Sequence, residues 1–305
     1  MNNLYIKIPI NINIYLKMSI NTLLHNQYQS LDKDDKVQSQ ISKRYICFGT
    51  KEPIYNHFDG TKMYIGDILT NLNVIATSCP IYEPFKQTQY MDKMVVRENN
   101  INLLFEYMIK DNVNLIAVVA DFPEKEEELN GPGFIYFPRE KEQVKTYKKD
   151  NWTISLRCIN NKEIIKSSVS DEFVMLYDIE LIYNTSKEKV IKNIQVIHYN
   201  NWIDRTNPKD INMFYEFIKY MYNKVLNNKK IMIHCSAGVG RTGISSVCLH
   251  LYHQVLNKKI KTNDDIIKEL YSYVVEWRNK RTFFVQQEIQ YIFCYDFCKM
   301  ILEKI

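Results

Sequence analysis

The sequence predicts an α/β domain, with a twisted, mostly parallel central sheet flanked by helices. Three observations lead there. Leu115–Ala120 (LIAVVA) is a short apolar run of the kind a buried strand shows. Ile231-Met232-Ile233 is a second β-type run. From Arg241 onward Ile244, Val247, Cys248, Leu251 and Val255 fall on one face of an amphipathic helix. A short glycine-containing loop joins the last two, so the order is strand, loop, helix, and the site is expected at the strand end that leads into the loop.

The other elements follow in chain order. Leu4, Ile6, Ile8, Ile10, Ile12, Ile14 and Leu16 alternate with more polar residues, the period of a strand or extended segment, unless the working chain begins at Met18. Residues 20–45 read as a polar helical lead-in. The acidic stretch Glu124–Gly133 ends in Gly-Pro-Gly and is a surface loop. Val190–His198 alternates toward a strand, Met213–Asn227 carries helical periodicity, and Gln287–Leu302 is again helical. No repeat or long Pro/Gly/Ser linker divides the chain.

Composition narrows the function. The chain has 305 residues, 46% of them hydrophobic and 25% charged, an ordinary balance for a globular protein with a sizeable core. A formal charge of +5 suits an anionic substrate. No basic tract with interleaved aromatics points to nucleic acid. Seven cysteines are scattered without a CxxC pair or a metal-binding pattern, which favours a reduced compartment, cytoplasmic or nuclear. Lys7 and the asparagines interrupt any signal-peptide core, and no run approaches the roughly 18 apolar residues of a membrane span.

The chemistry lies in His234-Cys235-Ser236-Ala237-Gly238-Val239-Gly240-Arg241-Thr242-Gly243. A loop this short between strand and helix must curl, and Gly238 and Gly240 permit backbone angles that turn successive N–H groups inward. With the positive end of the following helix, the amides of Ser236, Ala237, Gly238, Val239 and Gly240 form a nest for a dianionic phosphate. Arg241 would close it with a bidentate fork onto two phosphoryl oxygens. The same field lowers the pKa of Cys235, leaving a thiolate able to attack phosphorus and carry a phosphocysteine. Thr242 can donate its hydroxyl to the sulfur and help it leave. A nucleotide P-loop is excluded, because GxxxxGK[ST] is absent.

HCSAGVGRTG resembles the signature loop of the cysteine-based, tyrosine-specific protein phosphatases. The resemblance covers residues 40–302, strongly from His198 onward and loosely before, and divides the chain into an extension (1–40) and a divergent phosphatase domain (41–305). Cleaving a phosphate ester needs a proton for the departing oxygen. Asn201-Trp202-Ile203-Asp204 is similar to the family's mobile Trp-Pro-Asp loop, which makes Asp204 the general acid and places Trp202 beside the substrate. Ile203 stands where the family has proline, and this concerns loop rigidity and closing rate. Arg281–Tyr291 resembles the family's glutamine loop. There Gln286 matches the glutamine that positions the attacking water, and Gln290 matches a second one. Ser42-Lys43-Arg44-Tyr45 resembles the segment whose tyrosine stacks on the substrate ring, so Tyr45 would set pocket depth, although the aspartate expected after it is missing. Tyr64–Asp67, Val74–Pro80 and Phe134–Pro138 follow family segments in order, while residues 81–102 exceed the family's connection.

The resemblance thus implies catalytic roles for Cys235, Asp204, Arg241, Gln286, Thr242 and His234. Phosphate and substrate contacts fall to the loop amides, Arg241, Gln290, Tyr45 and Trp202. The implied reaction is hydrolysis of phosphotyrosine in proteins, with no metal or cofactor, by a chain that is a monomer by default and cytoplasmic, nuclear or delivered into a host cell. A dual-specificity or phosphoinositide phosphatase, or a phosphotyrosine-binding pseudophosphatase, are the alternatives.

Overall fold

A computed structural model describes residues 19–42, 60–66, 73–80, 86–90, 93–97, 101–121, 135–228, 230–281 and 283–305. In chain order the elements are α1 (Ile20–Ser42), β1 (Gly60–Tyr64), β2 (Asn73–Thr77), β3 (Lys86–Tyr90), β4 (Lys93–Arg97), α2 (Ile101–Lys110), β5 (Leu115–Val118) and β6 (Val144–Lys149). Then come β7 (Trp152–Lys166), β8 (Phe173–Thr185), β9 (Lys189–Asn200), α3 (Ile211–Asn228), β10 (Lys230–His234), α4 (Gly240–Leu256), α5 (Asn263–Lys280) and α6 (Glu288–Lys304).

Eight strands form one sheet in the order β1-β2-β10-β5-β9-β8-β7-β6. The four central strands β2, β10, β5 and β9 run parallel. The short apolar sequences of β2, β10 and β5 suit strands covered on both faces. β2 and β5 are buried at every position, as is β10 after Lys230. Antiparallel strands extend the sheet on both sides, β1 on one and β8, β7 and β6 on the other. The sheet is therefore mixed, with its parallel part at the centre. β3 and β4 pair separately as a hairpin inside the long 81–102 connection.

The elements expected from periodicity recur with small shifts at their ends. Missing from them is the wing β6–β8. In β7, Trp152, Ile154, Leu156 and Cys158 point inward at period two, but beyond Cys158 the strand is largely unburied and the alternation fades. α4 departs from the expected one-faced pattern: it is buried on all sides from Gly240 to Val255, held between α3 and α6. Its Ser245 and Ser246 tolerate this because their hydroxyls donate to the carbonyls of Arg241 and Thr242.

The polar lead-in is α1, which packs on α5 and α6 through Leu24, Tyr28 and Leu31. The alternating segment 4–17, Tyr45 and the acidic loop Glu124–Gly133 lie outside the described residues. Among the described residues, no helix is long and apolar enough to cross a membrane.

Candidate active site

β10 occupies the middle of the sheet, and its register places His234 opposite Thr77 and Val118 on its two parallel neighbours. Beyond it the chain leaves the sheet and curls. Three segments hold the curl by backbone bonds: Val119 N donates to His234 O (2.8 Å), Cys79 N to Ser236 O (2.9 Å) and Val285 N to Val239 O (3.0 Å). Gly238 takes φ +74°, and a Cβ there would lie 2.2 Å from the Thr77 carbonyl oxygen. Only glycine fits both the angle and the space.

Cys235 is 3% exposed, and the Gly238 amide donates to its Sγ at 3.2 Å. Burial alone would push the thiol pKa up. The Arg241 guanidinium, the Thr242 hydroxyl and the amides of Thr242 and Gly238 outweigh burial and bring it below the ordinary value. The buried cysteines of α4 and α6 lack such partners. Burial raises Cys248, and it pushes Cys298 up to about 12. Among the described residues, no disulfide joins the cysteines at 79, 158, 235, 248, 294 and 298.

Arg241 begins α4 and is itself buried. Its Nη1 donates to the Trp202 carbonyl at 2.7 Å and its Nη2 to Ser236 Oγ at 3.2 Å. The same Nη2 lies 3.0 Å from Asp204 Oδ1. Nε is buried with no partner among the described residues, which leaves a donor for an oxyanion. Asp204 reaches this position because β9 ends two strands from β10, at the same edge of the parallel sheet. Its loop is pinned at each end. Asp121 accepts from the Asn201 amide at 2.8 Å, where Asn201 turns to φ 64°. Buried Glu172 accepts from the amides of Lys209 and Asp210.

Gln286 comes from the turn before α6. A Cβ placed on Gly240 would sit 3.4 Å from Gln286 Oε1, so the amide side chain reaches the phosphate loop. One strand, two loops and a turn thus bring Cys235, Arg241, Asp204 and Gln286 together.

The family model for protein-tyrosine phosphatase matches residues 64–299. The chain belongs to the protein-tyrosine phosphatase family. It is similar to the human tyrosine-protein phosphatase non-receptor type 20, with 24% identity over 224 residues, 72% of this chain and 51% of that protein. A protein-tyrosine-phosphatase of Arabidopsis thaliana is 32% identical over 127 residues, 42% of this chain and 36% of its own. The chain spans about half the length, or less, of the curated relatives it matches. In fold it resembles a Trypanosoma brucei protein tyrosine phosphatase, with TM-score 0.68, 15% identity and coverage of 94% and 95%. It also resembles the catalytic domain of human protein tyrosine phosphatase non-receptor type 18, with TM-score 0.59, 15% identity and coverage of 92% and 96%.

Within this phosphatase frame two expected site residues, Trp202 and His234, stand elsewhere. Trp202 is fully buried, packed on Tyr199 and Phe214, and its Nε1 donates to Thr206 O at 3.0 Å. It anchors the acid loop, and only its carbonyl faces the site. Gln290 is fully buried too but stays at the phosphate loop: a Cβ on Gly240 would sit 3.3 Å from its Nε2 and 3.4 Å from its Oε1, and that Oε1 also accepts from the Gln287 amide at 3.1 Å, capping α6. His234 lies behind Cys235 rather than in the cradle. Its Nδ1 is 3.0 Å from the Cys235 carbonyl and its Nε2 2.8 Å from the Tyr136 hydroxyl. Burial pushes its pKa down to about 4, so the ring stays neutral and braces the loop.

Arg281 is the clearest residue that sequence reasoning passed over. It is wholly buried, and its Nε and Nη2 donate to the carbonyls of Gly238 (2.7 Å) and Ala237 (3.0 Å). Holding these two oxygens outward leaves the amides to face inward. The available signal was an arginine at the start of the glutamine loop. Asp121 had a fainter one, an acid directly after a buried strand.

Proposed function

We propose that this chain hydrolyses phosphotyrosine in proteins through a phosphocysteine intermediate. One observation carries the reading: a sulfur whose pKa is held below the ordinary thiol value accepts from the Gly238 amide at 3.2 Å, beside an arginine that is paired with the carboxylate of a second loop. Loop amides and Arg241 bind the three phosphoryl oxygens. Cys235 Sγ attacks phosphorus, the bond to the phenolic oxygen breaks, and Asp204 gives its proton to that oxygen.

In the second half, Gln286 orients a water that attacks the phosphocysteine. The water's proton goes to Asp204, the S–P bond breaks, and the thiolate leaves with help from the Thr242 hydroxyl. Because the transition state is loose, the residues work by electrostatic positioning rather than by covalent push. The absence of a disulfide among the described cysteines supports a reducing, cytoplasmic setting.

The test is turnover of a phosphotyrosyl peptide, a phosphoseryl peptide and a phosphoinositide, each with EDTA present. Phosphotyrosine should be preferred by orders of magnitude. Equal or greater rates on phosphoserine or the lipid would overturn the substrate class, and binding without turnover would make the chain a pseudophosphatase.

A further inference from the structure

Three successive carbonyls run along the turn that carries Gln286, and each is held by a side chain. Arg278 Nε donates to Phe284 O at 2.9 Å and Arg278 Nη2 to Val285 O at 2.8 Å. The third, Gln286 O, accepts from the Tyr28 hydroxyl at 2.6 Å. Tyr28 lies on α1, upstream of the stretch 64–299 that the family model matches. Its ring also covers the Arg278 guanidinium, 5.2 Å from the centroid, and packs against Tyr291 at 6.0 Å. Around it, His25 pairs with Glu288 (2.7 Å), and Gln27 Oε1 accepts from Tyr291 (3.0 Å). The turn needs support, since Phe283 and Val285 both take positive φ, at 58° and 59°.

We infer that Tyr28 is a positioning residue for the water-attack step: the extension upstream of residue 41 sets the backbone from which Gln286 reaches the phosphocysteine. This rests on the reading of Gln286 given above. The argument is geometric. Among the described residues the Gln286 side chain makes no hydrogen bond, so its aim at Gly240 depends on where its backbone is fixed. Arg278 fixes the two preceding carbonyls, and Tyr28 fixes Gln286 itself. The first half-reaction uses Cys235, Arg241 and Asp204, none of which has a hydrogen bond or ion pair to α1 among the described residues. Loss of the Tyr28 hydroxyl therefore acts on one chemical step.

The experiment is rapid-quench kinetics on the full chain with p-nitrophenyl phosphate, reading the phosphorylation burst, the steady-state rate and the trapped phosphocysteine. In Tyr28→Phe, which keeps the ring over Arg278, the burst rate should match wild type. Phosphocysteine hydrolysis should slow about 3- to 10-fold, the span of one hydrogen bond, and the intermediate should accumulate. Adding Tyr28→Phe to Gln286→Ala should slow hydrolysis no further.

Unchanged hydrolysis in Tyr28→Phe, additivity in the double variant, or an equal fall in both phases would each overturn the inference. A wild-type enzyme that turns over with no trappable phosphocysteine would instead remove the covalent reading beneath it, and the inference with it. If Tyr28→Phe melts early, Tyr28→Trp, which keeps an aromatic face and a donor, should restore hydrolysis; failure to do so counts against it as well.

Discussion

Asp204 Oδ1 and Arg241 Nη2 lie 3.0 Å apart, the first side chain 60% exposed and the second 3%. The clamp is thus the buried partner, and the acid meets it from the exposed side. Removing Asp204 should leave phosphate binding intact, because Arg241 keeps the Trp202 carbonyl and Ser236 Oγ. Asp204→Ala should lower kcat by about 10²–10⁴-fold with little change in the Kd for vanadate. An undiminished kcat would mean that another group donates the proton.

Cys235 should be the first of the cysteines to react with iodoacetamide. Alkylation requires thiolate, so its rate rises as pH passes upward through the folded pKa. With that pKa below the ordinary value, the midpoint should lie below that of a free thiol. Thr242→Ala removes one lowering partner and should move the midpoint upward. Cys235→Ser should abolish turnover and keep oxyanion binding. Prior modification of Cys248 or Cys298, whose pKa values are raised, would reverse the assignment.

Arg281→Lys tests the outer face of the phosphate loop. An ammonium cannot span the carbonyls of Ala237 and Gly238 as the planar guanidinium does. One buried carbonyl then loses its partner, at a cost of about 1–3 kcal/mol. A lower Tm together with weaker vanadate binding is the expected outcome. A variant that unfolds earlier yet binds vanadate as wild type does would limit Arg281 to a role in stability.

Ile203 is 59% exposed, so its side chain does not anchor the acid loop. Its carbonyl accepts from Thr206 Oγ1 at 2.8 Å, while its amide donates to no partner among the described residues. Proline at this position deletes no hydrogen bond and narrows the ensemble of undocked loops, a gain of about 0.4–1 kcal/mol. Ile203→Pro should raise kcat about two- to fivefold if docking limits turnover. Relaxation dispersion on the Trp202 indole gives the docked population directly. A slower variant would mean that the backbone at 203 does not suit proline's fixed φ.

The sequence was most legible where one segment carries both the fold signal and the chemistry. His234 to Gly243 combines a β run, two glycines, a cysteine and an arginine at close spacing, and it folds as strand end, loop and helix start with the Gly238 amide on the Cys235 sulfur. Trp202 and His234 were harder to read. Each is a polar or amphipathic side chain next to reacting groups, and sequence proximity does not reveal whether it turns toward the cradle or into the core. Arg281 and Tyr28 were hidden for the opposite reason: they act from 43 and 258 residues away along the chain, through backbone carbonyls that have no residue type of their own. The β6–β8 wing escaped because an exposed strand end loses the apolar alternation that marks a buried one.

The three backbone amides that tie down the phosphate loop come from Cys79, Val119 and Val285, none of which belongs to the loop. Each is a separate latch, contributed by a different stretch of chain. Their protons should therefore exchange with solvent only when the loop itself lifts. In deuterated buffer these three amides would time the opening of the cradle, and a bound oxyanion would slow all three by the same factor, although no ligand atom touches any of them.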